Sequence, residues 1–322
     1  MYEQITSNKV KSGVMMFLFF VVVCGIGYII GMAWGRGRMA GAGFIGLGIA
    51  FVIAGIMGMV SYWKSDSIAL TTSGAVPVEN FLPDPNYIRY KNTVEGLAIA
   101  AGVPAPRIYV IPSAAKNAFA TGRNPAHSAV AATSGLVESL NDEQLAGVIA
   151  HEMSHIKNYD ILILSMVIVL VGAVVLLSNI FLRSLWFGGG DSDSGGGDGG
   201  AILLIIGIVL AILTPIFAQL MKLAIGRKRE YLADANAALL TRYPPGLASA
   251  LEVLANDDQQ MKTANQATAH LFIIQPLKTK KAKGSWMHRM FDTHPPIEDR
   301  IARLRDMTGD FTPEQVPPGA ST

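Results

Sequence analysis

Charge and cysteine are the scarce components of this 322-residue chain. Asp, Glu, Lys and Arg make up 16% of it, where ordinary soluble domains carry about a quarter. One cysteine, Cys24, is present, so there is no disulfide framework and no thiol placed to act as a nucleophile. The formal net charge is +2. No basic stripe with interleaved aromatics accompanies it, so nucleic acid is not an expected partner. The acidic stretch GGGDSDSGGGDGG lacks the regular ligand spacing and terminal Glu of an EF-hand loop and reads as a solvated linker.

Hydrophobic residues, by contrast, make up 51% of the chain, and they are concentrated. Blocks at 14–34, 40–63, 161–182 and 201–221 contain no Asp, Glu, Lys or Arg. Each is about 20 residues long, enough for a helix to cross a hydrocarbon core of ~30 Å. The first block exceeds a secretory h-region and a second follows at once, so it reads as an uncleaved anchor. Lys9 and Lys11, then Lys64, then Lys222 and Arg227–Arg229 fall on one side if all four blocks cross, which places the polar segments in the cytoplasm. Arg36 and Arg38 in the first hairpin oppose that scheme mildly.

The expected organisation is a transmembrane hairpin over 1–63, a first polar part over 64–160 and a second hydrophobic hairpin over 161–221 with a Gly/Asp loop at 188–200. A second polar part over 222–307 and a disordered tail over 308–322 complete it. Glycine spacing in GAGFIGLG would let the first two helices approach closely, although glycine is common in membrane helices anyway. YIRYKNTVEGLAIAAG has helical spacing with a glycine stop. RIYVIP, KNAFATG and HSAVAAT read as short strands of a small sheet. Asn141 and Gln144 form a capping box that opens the helix DEQLAGVIAHEMSHIKNYD, which is expected to run on into the third block.

That helix carries the chemistry. His151 and His155 are four apart and so share one helical face, close enough for both imidazoles to reach one Zn²⁺. Glu152 points off the metal axis, placed to take a proton from metal-activated water. A surface helix with solvated histidines is the plain alternative. A catalytic zinc needs a third protein ligand, and no third histidine follows, because Ile161 stands six residues on. In REYLADANAA, Glu230 and Asp234 lie on one helical face: Glu230 as ligand, with Asp234 holding a ligating imidazole. From spacing alone, an exposed face with Glu230 paired to Lys or Arg is equally good.

The order hydrophobic hairpin, KNAFATG, HEMSH, RKREYLADANAA, THPPIEDRI resembles the HtpX family of membrane metallopeptidases, kin to CAAX-processing endopeptidases. The resemblance covers nearly all of the chain except the Gly/Asp loop and the tail. It implies an α+β membrane protein, mostly helical, with four transmembrane helices and a cytoplasmic zincin-like catalytic domain around a small β-sheet. It further implies one Zn²⁺ held by His151, His155 and Glu230, with Glu152 as catalytic base and Asp234 in support. Asn117, Ala118, Phe119 and Ala120 match a strand along the cleft, where an extended substrate can pair; an ordinary sheet strand is the alternative. His294 matches a segment that returns to the site, as oxyanion donor or as a packing residue at a helix start. Arg300, on a strongly charged amphipathic helix, carries less weight. His127, His270 and His288 read as structural.

The implied activity is a zinc endopeptidase of the bacterial inner membrane that degrades misfolded membrane proteins. Its expected partners are polypeptide substrates, the lipid bilayer, and either further copies of itself or other quality-control proteases. A site-specific CAAX-type processing protease is one alternative and a non-catalytic zinc scaffold another. Glu152 speaks against the scaffold, which would not need it.

Overall fold

The computed structural model describes residues 2–35, 41–168, 226–257, 259, 261, 268, 271–274 and 295–307. The Gly/Asp loop, most of the third hydrophobic block, all of the fourth, His270, His288, His294 and the tail lie outside the described residues.

Two helices, α1 (Tyr2–Gly35) and α2 (Ala42–Thr72), form the amino-terminal hairpin. Both are long and apolar enough to cross a membrane. Their outward side chains, among them Phe17, Phe44, Phe51 and Met59, are exposed, a surface suited to lipid rather than water. Gly46 explains their close packing: a Cβ there would lie 2.2 Å from the Gly27 carbonyl oxygen. Four spans were expected; among the described residues, two helices meet the length and apolarity required.

A four-stranded mixed sheet follows, comprising β1 (Val76–Pro77), β2 (Arg107–Ile111), β3 (Ala118–Gly122) and β4 (Ser128–Thr133) in the order β1-β2-β4-β3. β2 and β4 run parallel, and β3 returns antiparallel to β4 with Ala120 opposite Val130. The three expected strands are all present, and the short β1 adds a fourth. Alternation along them feeds two cores. Val110, Ala118, Ala120, Val130 and Ala132 face α3 (Pro85–Ala101) and the motif helix α5 (Asp142–Lys157). Ile111, Phe119, Ala129 and Ala131 face the other way, toward Met15 and Phe19 of α1 and residues 162–168. Burial on both faces is why the strands read as apolar runs without polar alternation.

Local signals set the helix ends. The Asp84 side chain accepts from Asn86 N to open α3, and Gly102, at φ 68°, closes it. After the short α4 (Ser134–Ser139), the expected capping box opens α5. Gln144 N donates to Asn141 Oδ1 at 2.9 Å, and Asn141 N to Gln144 Oε1 at 3.1 Å. α5 is clasped by α6 (Arg227–Thr241) and α7 (Pro244–Ala255). Contact with α7 is close at Gly147, where a Cβ would meet Leu247 N at 2.6 Å. The last described helix, α8 (Ile297–Asp306), packs on α7 and α6.

The expected continuity of α5 into the third hydrophobic block does not hold. α5 stops at Lys157, Tyr159 adopts φ 61°, and a new helix runs over 160–168 with every residue buried. α1 fastens that break. Asn8 Nδ2 donates to the Asn158 carbonyl (2.8 Å) and to Asp160 Oδ1 (2.7 Å), while Lys9 stands 4.5 Å over the Tyr159 ring. These contacts offset the cost of a left-handed tyrosine.

Candidate active site

One turn apart on α5, His151 and His155 turn their Nε2 atoms toward each other, 3.2 Å apart. Glu230, in the first turn of α6, faces both. Its Oε1 lies 3.6 Å from His155 Nε2 and its Oε2 lies 3.8 Å from His151 Nε2. One ligand atom from each residue falls within 4.8 Å of the others, and all three residues are buried. The opposite ring nitrogens meet carboxylates: His151 Nδ1 to Asp234 Oδ1 at 2.9 Å and His155 Nδ1 to Asp160 Oδ2 at 3.1 Å. An ionised carboxylate only accepts, so each Nδ1 carries the hydrogen and a neutral ring presents its Nε2 lone pair to the centre.

This donor set fits a metal ion. Four-coordinate zinc with bonds of ~2.0–2.1 Å separates its ligands by roughly 3.3–3.4 Å, close to the spacings found. Two facing lone pairs at 3.2 Å repel unless a proton or a cation lies between them. The carboxylate–imidazole pairs on the far side are those that fix ring orientation and tautomer in metal sites.

Electrostatics sort the groups. Burial lowers the His151 pKa, only partly opposed by Asp234, so that ring is neutral. Burial also acts to lower His155, but Asp160 and Glu230 outweigh it and raise the imidazole to about 9. Without a metal the proton therefore sits on His155. Glu152 is buried one residue beyond the first imidazole. Desolvation carries it up to about 7, against the pull of His155 and a hydrogen bond from the Ala120 backbone. A carboxyl poised near neutrality can accept a proton and return it.

Of two further contributors, Arg300 was given too little weight in the sequence and Asp160 was missed. Arg300 on α8 is 1% exposed and grips Asp234 twice, Nε to Oδ2 at 2.9 Å and Nη2 to Oδ1 at 2.7 Å. Its Nη1 is 3.6 Å from Glu230 Oε2. The signal was available, since Ile297, Arg300, Ile301 and Leu304 repeat at helical spacing and place the arginine on the inward stripe. Asp160 was passed over because it follows the break in the helix. It also takes Arg229 Nη1 at 3.2 Å.

The Asn117–Ala120 segment forms the sheet edge beside α5, as its strand pattern implied, yet it is fully covered. Ala118 O accepts from Ile273 N at 3.1 Å, and the Asn117 side chain exchanges hydrogen bonds with the backbone of Ile274. His127 is exposed and bonds Asn124. His294 lies outside the described residues, ahead of the buried Pro295.

A helix presenting two imidazoles and a glutamate to the edge of a sheet, with a buried carboxylate facing them, belongs to the metallopeptidase class. Residues 88–308 match Peptidase family M48. The curated relatives include proteins named Protease HtpX homolog. That of Caldanaerobacter subterraneus subsp. tengcongensis is 43% identical over 310 residues, spanning 96% of this chain and 98% of the relative. That of Tropheryma whipplei (strain Twist) is 41% identical over 312 residues (97% and 100%), and that of Pyrococcus furiosus 45% identical over 300 residues (92% and 94%). The crystal structure of S. mikatae Ste24p aligns with 94% of this chain and 67% of its own, at 20% identity and TM-score 0.46, a likeness too loose to carry an argument. The chain belongs to Peptidase family M48, among the HtpX proteases. It is accordingly a membrane-associated metallopeptidase whose substrates are polypeptides.

Proposed function

We propose that the chain is a zinc endopeptidase in which His151, His155 and Glu230 hold one Zn²⁺ and Glu152 is the catalytic acid–base. The observation that carries this reading is the convergence of three buried ligand atoms within 4.8 Å. When bound there, zinc supplies Lewis acidity, polarising a peptide carbonyl and making water acidic near neutral pH. Glu152 takes the proton from the attacking water, holds it in a buried pocket, and hands it to the leaving amine. Asp234 and Asp160 keep the imidazoles oriented, and Arg300 holds Asp234 in place. His294 is proposed as a donor to the oxygen that gains charge, on the resemblance of THPPIEDRI alone. Residues 117–120 are proposed to pair with an extended substrate. That requires the contact between Ile273 and Ala118 to give way.

The division into a membrane hairpin over 1–63, a second hydrophobic hairpin over 161–221 and a catalytic part built from 64–160 and 222–307 belongs to the same proposal. So does a multi-pass position in a bacterial inner membrane with the site facing the cytoplasm. Lys9 before the apolar surface of α1 and Lys64 at the end of that of α2 support the orientation. Misfolded or damaged membrane proteins are the proposed substrates, because the site is built onto the end of the hairpin. The test compares Glu152→Gln with wild type in detergent for zinc content and casein cleavage. Equal zinc with cleavage reduced by ~10²–10⁴-fold is expected for loss of an acid–base group. Undiminished cleavage would remove Glu152 from this role.

A further inference from the structure

We propose that a cavity at the border of the apolar hairpin binds the headgroup of an anionic phospholipid. It has a volume of about 610 Å³ and lies between the start of α1, the later part of α2, the turn after β3 and the 160–168 helix. Two cations, Lys9 and Arg123, line it, and among its described lining residues there is no Asp or Glu. Each cation stands over an aromatic ring, Lys9 Nζ 4.5 Å from the Tyr159 centroid and the Arg123 guanidinium carbon 4.5 Å from that of Trp63. A ring face positions a cation without occupying its N–H donors in a directed hydrogen bond. The guanidinium keeps its in-plane fork, the geometry that matches phosphate oxygens.

The rest of the wall is mainly apolar, with Met16, Met59, Leu162 and Met166, and Ser12, Asn124 and Tyr62 add polar groups beside the cations. Unbranched methionines adapt to flexible chains. Exposed apolar side chains begin at Val10 on α1 and end at Trp63 on α2. Lys9 immediately precedes that surface and Lys64 immediately follows it. The cavity thus stands at headgroup depth, where Tyr, Trp and basic residues collect. Its occupant must be amphipathic, with a negative head and acyl chains. A choline head is disfavoured at Tyr159 and Trp63, whose faces are taken by Lys9 and Arg123, and both cations repel a quaternary ammonium at the neighbouring Tyr62. A free phosphate would leave the apolar wall unused. Tyr159 adjoins Asp160, so a bound lipid abuts the turn that orients His155.

The site depends on the hairpin lying in a bilayer and not on the assignment of the metal ligands, so binding is read directly. Full-length protein in neutral detergent is offered equal amounts of phosphatidylglycerol and phosphatidylcholine with matched chains, and bound lipid is counted by native mass spectrometry. Two basic residues at about 1 kcal/mol each give roughly 30-fold preference for phosphatidylglycerol. Lys9→Gln with Arg123→Gln should bring the ratio near one, each single change should bring it partway, and Lys9→Arg with Arg123→Lys should keep it. Lys64→Gln, at the same border but outside the cavity lining, should leave it unchanged. Equal retention of the two lipids by wild type overturns the proposal. So does a loss in Lys64→Gln as large as in the cavity variants, or displacement of the lipid by millimolar inorganic phosphate.

Discussion

Replacing Arg300 by methionine isolates the buried charge network behind the imidazoles. The substitution keeps most of the side chain's volume and removes its charge. In the native protein Arg300 makes two bonds to Asp234, at 2.9 and 2.7 Å, and a third to the Ile273 carbonyl at 3.4 Å. Asp234 is 3% exposed and cannot recruit bulk water. Stranding a buried charge in this way costs about 3–5 kcal/mol. At roughly 2–4 °C per kcal/mol for a chain of this size, the apparent melting temperature should fall by about 6–20 °C. It is read at one scan rate in one detergent, because membrane proteins seldom unfold as two states.

A second variant tests the cause. Arg300→Met combined with Asp234→Leu removes both charges and should recover most of the lost stability, since an apolar pair can replace a buried ion pair at little cost. Metal affinity should not recover, because His151 Nδ1 has lost its carboxylate. Acid should close the gap between wild type and Arg300→Met. Burial alone would raise the Asp234 carboxyl, yet Arg300 and His151 outweigh it and hold it below its ordinary 3.8. A depressed folded value gives stability that is present above 3.8 and lost as pH falls through the folded value. Should Arg300→Met melt within a degree of wild type, or the double variant melt below the single one, the reasoning is wrong.

Further expectations follow from the same geometry. Asn8→Ala removes the bond from α1 to Asp160 and should weaken zinc binding about tenfold, measured by competition with a chromophoric chelator; unchanged affinity would mean that Asp160 needs no anchor. Because apo His155 is raised to about 9, metal must displace its proton. Apparent affinity should then climb about tenfold per pH unit until about 9 and flatten beyond it, and a profile level from pH 6 to 9 would contradict that protonation. Gly147→Ala forces a methyl into the backbone of Leu247 and should cost about 1–3 kcal/mol, seen as a lower melting temperature with the α5–α7 contact spread; wild-type melting would show that the helices yield without strain.

What could be read in advance were features written in neighbouring residues. The capping box, the α3 stop at Gly102, the strands and the pairing of His151 with His155 each rest on spacings of a few residues, which backbone geometry converts directly into position. Glu230 was only an even choice by spacing, because its partner lies on a helix 75 or more residues away. The break at Tyr159 escaped notice since nothing local stops the helix there. The bonds that fasten it come from Asn8, 150 residues before Asn158. Arg300 was misjudged because its neighbours Glu298, Asp299 and Arg303 suggest solvent, although its phase on the helix points inward. Long-range polar contacts of this kind leave little trace in local pattern.

The donor set itself is tested most directly by X-ray absorption at the zinc edge of the zinc-loaded, full-length protein. The account predicts a shell of nitrogen and oxygen alone at ~2.0–2.1 Å, with outer-shell scattering from two imidazoles that falls to one in His155→Ala. A shell that requires sulfur, or one whose imidazole count is unchanged in His155→Ala, would contradict it.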